Sequence, residues 1–181
     1  MTERITTTGD AAQVSADQEF VYTRTFDAPR DLVWSALTEP GHLVHWWGPQ
    51  GFTVRVAEVD LRPGGIFRYT LRSPDGWEMR GRWVYQEIAA PERLVTVTSF
   101  TDDNGDPSRH PMNPMWPLEM HTVTSLTGAG GKTTLTVRVT PHNATEEERE
   151  AFFSELDGMG EGFTGTLDKL DRYLSTIQRP D

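Results

Sequence analysis

The C-terminal stretch constrains the fold most. From Thr145 to Ile177 the large apolar residues are Phe152, Leu156, Met159, Phe163, Leu167, Leu170, Leu174 and Ile177. Steps of three and four residues line them along one side of a helix. Asn143 or Thr145 can cap the start, Thr145 with Glu148 fits a capping box, and Glu146 and Glu147 suit the positive end of the helix dipole. Arg172 and Arg179 lie near the other end, and Pro180 follows. A helix of roughly thirty residues is far above the average length, so it needs a broad apolar surface to lie on.

Gly158, Gly160, Gly162 and Gly165 fall in the middle of that stretch. In a helix interior they cost about 1 kcal/mol each, roughly 3–4 kcal/mol together. One reading is a single bent helix whose backbone closely approaches a neighbour or a ligand. The other is two helices joined by a glycine break. The apolar stripe keeps its phase across the glycines, which favours one bent helix.

A chain of 181 residues suits one domain. Its net charge of −10 weighs against nucleic acid and anionic membrane surfaces as partners. With no cysteine, disulfides, thiolate catalysis and cysteine–zinc sites are excluded. The N-terminus carries no apolar run, so neither a secretory signal nor membrane insertion is expected, and the expected compartment is cytoplasmic. No motif implies a cofactor or a metal.

Residues 1–17 are rich in Thr, Ala, Asp and Gln and read as a flexible tail ahead of a single domain over 18–178. A strand over 18–26 follows. Asp27-Ala28-Pro29 opens a first short helix, and Glu39-Pro40-Gly41 ends it. A second short helix leads into the tight loop Trp47-Gly48-Pro49-Gln50-Gly51. Strands are then expected near 53–60, 66–73, 77–88, 93–100, 117–126 and 132–140, separated by Gly/Pro/Asn turns. The fold class is therefore α+β: a curved antiparallel sheet of about seven strands around the long helix, with two short helices between the first and second strands.

Alternation assigns inner faces. Trp77, Met79, Gly81, Trp83 and Tyr85 share one face of their strand; Phe67, Tyr69 and Leu71 do so on the preceding one, and Leu135, Val137 and Val139 on the last. Arg80, Arg82 and Arg138 then point outward. Met120 belongs to an inward set with Leu118 and Thr122, which leaves Glu119 and His121 on the other face. An inward-facing Glu119–His121 pair could act as an acid/base, and these are the only catalytic candidates. Trp46 and Trp47 are candidates for the mouth of a cavity. Met112, Met115 and Trp116, in the irregular stretch 101–116, suit an adaptable apolar lid. His42 and His45, three apart, read as packing rather than a metal pair. Gly131-Lys132-Thr133 lacks the upstream glycine and the following helix of a phosphate loop and reads as a hairpin turn.

Phe26-Asp27-Ala28-Pro29, Trp46-Trp47-Gly48-Pro49, Asp60-Leu61-Arg62-Pro63-Gly64-Gly65, Arg109-His110-Pro111-Met112, Trp116-Pro117-Leu118-Glu119-Met120 and Gly162-Phe163-Thr164-Gly165-Thr166-Leu167 together resemble the START-like helix-grip (SRPBCC) superfamily. The closer resemblance is to the bacterial branch named after activators of the heat-shock chaperone ATPase, over roughly residues 19–174. The superfamily includes lipid carriers, polyketide aromatase/cyclases, co-chaperone domains and proteins resembling the calicheamicin self-sacrifice protein. The resemblance implies an internal cavity more firmly than a reaction. It leads us to expect a carrier or sequestering protein for a hydrophobic, aromatic or polyketide-like small molecule, with antibiotic self-resistance as a narrower version. A polyketide cyclase/aromatase and a co-chaperone-like partner-binding domain are the alternatives, and a homodimer or protein partner stays open. The ligand-contact candidates are Trp46, Trp47, Phe67, Tyr69, Met79, Trp83, Met112, Met115, Trp116, Met120, Met159, Gly160 and Phe163. In a self-sacrifice protein, glycines such as Gly160, Gly162 or Gly105 would be the points of attack.

Overall fold

The computed structural model describes residues 5–7, 10–14 and 18–178. The elements run β1 (Ile5–Thr7), β2 (Asp10–Val14), β3 (Phe20–Phe26), α1 (Arg30–Thr38), α2 (Pro40–Trp46), β4 (Thr53–Val59), β5 (Ile66–Arg72), β6 (Glu78–Ala89), β7 (Arg93–Thr101), β8 (Pro107–Ser108), β9 (Glu119–Ala129), β10 (Lys132–His142), α3 (Glu146–Ser154) and α4 (Leu156–Ile177). The sheet order is β1-β2-β3-β10-β9-β7-β6-β5-β4, antiparallel throughout, with β8 paired to β7 off this path. The seven expected strands are β3, β4, β5, β6, β7, β9 and β10. Within 1–17, where a tail was expected, β1 and β2 extend the sheet beyond β3; the rest of that stretch lies outside the described residues.

β3 and β4 are consecutive in the chain but far apart in the sheet, so α1 and α2 carry the chain across one face. Bulges between Val56 and Glu58 and between Tyr85 and Glu87 bend the strands, as an extra unpaired residue must. The inner face follows from register, because directly paired residues point to the same side. It carries Phe20, Tyr22 and Phe26 on β3, Leu135, Val137 and Val139 on β10, Phe67 and Leu71 on β5, and Tyr85 on β6, all buried. Trp77 is an exception to the expected pattern. It precedes β6, in the turn where it bonds to Ser73, and stands 41% exposed.

The long helix is two segments. The break is at Glu155 (φ −107°, ψ 19°), upstream of every glycine, so neither the single bent helix nor a glycine break describes it. Thr145 and Glu148 do form the reciprocal capping box at the start of α3. The glycines stay inside α4. A side chain at Gly162 would meet open space, whereas one at Gly165 would press on Gln50 Cγ at 3.3 Å. Close approach therefore applies at Gly165 and not at Gly162.

α4 is fastened to β3 along its length. Phe163 stacks on Phe20 and Tyr22 with centroids 5.4 and 5.6 Å apart. The Tyr22 hydroxyl and Thr164 Oγ1 lie 2.7 Å apart, and Arg24 donates to Asp168 at 2.6 Å. Leu167, Leu170 and Leu174 are buried, each stabilising the packing by roughly 1.5–3 kcal/mol. Upstream the burial falls: Leu156, Met159, Gly160 and Phe163 are half-buried. The C-terminal half of α4 closes the core, and its N-terminal half leaves it partly open.

Candidate functional site

The open part is built from β6, β7, β9, the loop after α2 and the first half of α4. Tyr69 on β5 pairs with Gly81 on β6, and its ring lies flat across that glycine. A Cβ at Gly81 would come within 2.3 Å of the Tyr69 hydroxyl. Around Tyr69 an aromatic cluster closes: Trp47 meets Trp83 at 4.8 Å, Tyr69 at 5.5 Å and Phe67 at 6.3 Å between ring centroids. Burial drives the Tyr69 phenol far above the ordinary tyrosine pKa, while the flanking Trp47 and Trp83 indoles pull the other way.

Trp47 is aimed by its loop. Lys169 on α4 donates to the carbonyls of Gly48, Pro49 and Phe52 at 3.2–3.3 Å. Gln50 Nε2 donates to the Gly165 carbonyl at 2.9 Å, and Arg172 donates to Gln50 Oε1 at 3.1 Å. Burial, then the nearby Arg172, hold the Lys169 pKa below the usual lysine value. Gly48 adopts φ +104°, and a side chain there would strike Leu71. The sequence Trp47-Gly48-Pro49-Gln50 is therefore a strap pinned to α4, with Trp47 as its inward tip. Trp46 has a different job. It is buried, donates to the Ala36 carbonyl at 2.9 Å and ties α2 to α1.

Beside Trp83 the inner face stays accessible. Trp83 pairs with Thr98, and Thr98 with Met120; Thr122 and Thr124 follow Met120 on the same side. Thr98, Phe100, Met120, Thr122 and Thr124 are all half-buried although they face inward. Met159, Gly160 and Phe163 on α4 are half-buried as well, and Phe163 reaches the same inner side at Phe20 and Tyr22 of β3; together these residues make an apolar strip edged by threonine hydroxyls. Met79 is also half-buried on this face, nearer the start of β6. The Trp47 and Trp116 indole nitrogens and the Tyr85 hydroxyl are buried without a hydrogen-bond partner among the described residues. The Tyr85 phenol is likewise pushed well above its ordinary range, by burial first and by Asp60 second.

The loop between β7 and β9 closes one end. His110 packs on Phe100 at 4.7 Å and on Trp116 at 6.3 Å, and Trp116 packs on Phe152 at 5.4 Å. Arg109 pairs with Glu148, joining the loop to the capping box of α3. Met112 and Met115, expected in the lid, are 79% and 47% exposed, because the turn that contains them faces solvent.

Other candidates lie elsewhere. His121 pairs with Val97 and Thr140 on the outer face and stacks on His142 at 6.2 Å; Glu119, two residues away, shares that face. His42 meets the Tyr173 hydroxyl at 2.6 Å and His45 stacks on the same ring, so both pack α2 against α4. Gly130 and Gly131 take positive φ in the β9–β10 hairpin, where a phosphate loop would need a helix. Gly105 turns on the outer face beside Arg68. The sequence reading placed Thr122 inward beside Met120 but missed Thr98, Phe100, Thr124 and the Tyr22–Thr164 contact. Thr96-Val97-Thr98 and Thr122-Val123-Thr124 alternate equally well in either phase, so only register decides which side lines the strip.

The sequence model described as "Activator of Hsp90 ATPase homolog 1-like protein" matches residues 27–175. Among solved structures, a Mycobacterium smegmatis protein is 25% identical, with 92% of this chain and 98% of that one covered and a TM-score of 0.75. An Arthrobacter aurescens protein is 28% identical, with 87% and 86% covered and a TM-score of 0.74. DynU16, described as a putative protein in the dynemicin biosynthetic locus, shares the fold at 23% identity and a TM-score of 0.61; this chain covers 47% of its length. No curated protein matches. Among the described residues no helix is long and apolar enough to cross a membrane.

Proposed function

Because the chain belongs to the Activator of Hsp90 ATPase homolog 1-like family, a family of helix-grip proteins that take hydrophobic ligands, we propose that it binds an aromatic, polyketide-like small molecule between the sheet and the first half of α4, without turnover. The observation that carries this reading is the strip itself. Inward-facing Thr98, Met120, Thr122, Thr124, Met159 and Phe163 stay half-exposed, while the second half of the same helix is buried. An apolar wall with a few hydroxyls is the chemistry of a small-molecule pocket. Trp83 and Trp47 offer edges and faces to a flat ring, and the threonines can orient its oxygens. No acid/base pair among the described residues faces the strip, since Glu119 and His121 lie on the outer side. Binding needs none.

The test is a titration of tryptophan fluorescence with flat aromatic polyketides, flavonoids and fatty acids. Saturable quenching by the aromatic set is expected, and a Thr98→Trp variant, which fills the strip, should abolish it while remaining folded. A flat response to the whole panel, or unchanged binding in Thr98→Trp, would sink the reading.

A narrower version is sacrificial self-resistance, supported by the fold shared with a dynemicin-locus protein. An activated enediyne diradical would take hydrogen from a glycine Cα, and oxygen would convert the carbon radical to chain cleavage. Gly160, half-buried on α4, suits this better than Gly105, which lies on the outer face, or Gly162, which is exposed. Chain cleavage at residue 160, read by intact mass, is the expected result; an uncut chain rejects this version and leaves the carrier reading standing.

A further inference from the structure

The outer face of β4, β5 and β6 carries charge of the opposite sign to the chain as a whole. Register puts Arg55, Thr70 and Arg80 in one cross-strand row, Arg68 and Arg82 in the next, and Arg72 in a third. The net charge of the chain is −10, yet these rows carry five arginines against two glutamates, Glu58 opposite Arg68 and Glu78 opposite Arg72. Arg68 and Arg82 are directly opposed, an arrangement that is unfavourable unless counter-charge is near. Their Nε atoms are buried and make no hydrogen bond among the described residues. Glu58 approaches Arg68 only to 3.9 Å. Arg55, Arg72 and Arg82 have no carboxylate within ion-pair distance among the described residues.

One edge of the patch shows what chemistry fits it. The turn between β7 and β8, Asp102-Asp103-Asn104-Gly105-Asp106, lies against it. Asp103 pairs with Arg80 at 2.8 Å, and the Gly105 carbonyl accepts from Arg82 at 3.2 Å. An acidic backbone segment thus already occupies the β7 side, and the arginines toward the free edge at β4 remain uncovered.

We propose that this face docks an acidic segment of a partner protein, with the Asp103 turn as an internal competitor for Arg80. The guanidinium fork pairs with carboxylates in two-point geometry, which suits arginine over lysine. The rows span three strands, broader than one phosphate. A long polyanion would meet the acidic remainder of the molecule, whereas a short carboxylate motif would meet mainly the patch. The site is on the opposite side of the sheet from the strip and does not depend on the small-molecule reading.

The probe is a fluorescein-labelled octaglutamate peptide, followed by anisotropy, with an octaglutamine peptide as control. Saturable binding that weakens with added salt is expected for the glutamates alone. The exposed pair Arg55→Gln/Arg72→Gln should weaken it about tenfold, with Arg30→Gln, on another face, leaving it unchanged. Asp103→Asn should strengthen it about twofold by removing one of the two carboxylates on Arg80, the other being Glu78 at 3.4 Å. Equal binding of the glutamine peptide, indifference to the Arg55/Arg72 pair, or tighter binding of an oligonucleotide or of phosphatidylserine vesicles would overturn the proposal.

Discussion

Gly81→Ala tests how tightly the aromatic wall is built. The new Cβ would lie 2.3 Å from the Tyr69 hydroxyl oxygen and 2.5 Å from its Cζ. Ordinary contact needs roughly 1 Å more, so the ring must move by about that distance. It has little freedom to do so, because Phe67 stands at 5.1 Å and Trp47 at 5.5 Å between centroids. Overpacking of this kind costs about 1–3 kcal/mol. For a domain of this size, 2 kcal/mol corresponds to roughly 4–8 °C in Tm. The direction left to Tyr69 is toward the strip, so ligand affinity should fall as well. Urea unfolding of Gly81→Ala, Tyr69→Ala and the double variant forms a cycle. Truncating Tyr69 removes the obstacle, so the alanine at 81 should then cost little, with a coupling of about 1 kcal/mol or more. Additive effects within about 0.5 kcal/mol would refute the account of this pair.

Three further outcomes follow from the same structure. Glu148→Gln keeps the shape of the α3 cap but loses the charge that Arg109 and the Thr145 amide stabilise, so about 1.5–3 kcal/mol should be lost at pH 7. The Thr145 amide first, then Arg109, hold the Glu148 pKa below its ordinary value, so its contribution is complete above about pH 4.3 and fades as pH falls through the folded value. Urea midpoints of parent and variant should therefore converge in acid; a gap that persists at the lowest pH contradicts this. Burial holds the His110 pKa below the ordinary value, so protonation favours the opened loop as pH falls below about 6.5. Trp116 fluorescence should report that loosening, and His110→Phe should remove it; an identical pH profile in the variant would count against it. Lys169→Met removes the ammonium that donates to three strap carbonyls, leaving Pro49 its bond from the Phe52 amide, and should speed amide exchange at residues 48–52, whereas unchanged exchange would mean the strap holds without it.

Much of the architecture was legible because its signals are local. The three-and-four spacing that ends in Leu167, Leu170 and Leu174 marks the buried side of α4, and Thr145-Glu148 marks a helix start. The break at Glu155 carries no sequence signal: no proline or glycine occupies it, and the apolar stripe runs through in phase. The glycines pointed to the wrong place because helices tolerate glycine where packing compensates elsewhere, as it does here at Leu167, Leu170 and Leu174. Of the site, the aromatic members Phe67, Tyr69 and Trp83 could be read from alternation, and Trp47 from its place in the tight aromatic loop after α2. Thr122 could be placed inward beside Met120, but Thr98 and Thr124 could not, since a Thr-Val-Thr run fits both faces and pairing with β10 and β6 decides. Met112 and Met115 looked like lid residues by type, but a turn directs them outward, and turn direction is set by tertiary contacts.

The central claim is that a flat apolar guest enters under the first half of α4. Methyl-labelled methionine spectra test it most directly, because Met120 and Met159 line the strip while Met112 and Met115 stand exposed outside it. Titrated with an aromatic polyketide, the Met120 and Met159 signals should shift together and saturate at one site, with Met112 and Met115 unmoved. Shifts confined to Met112 and Met115, or none at all, would contradict the account.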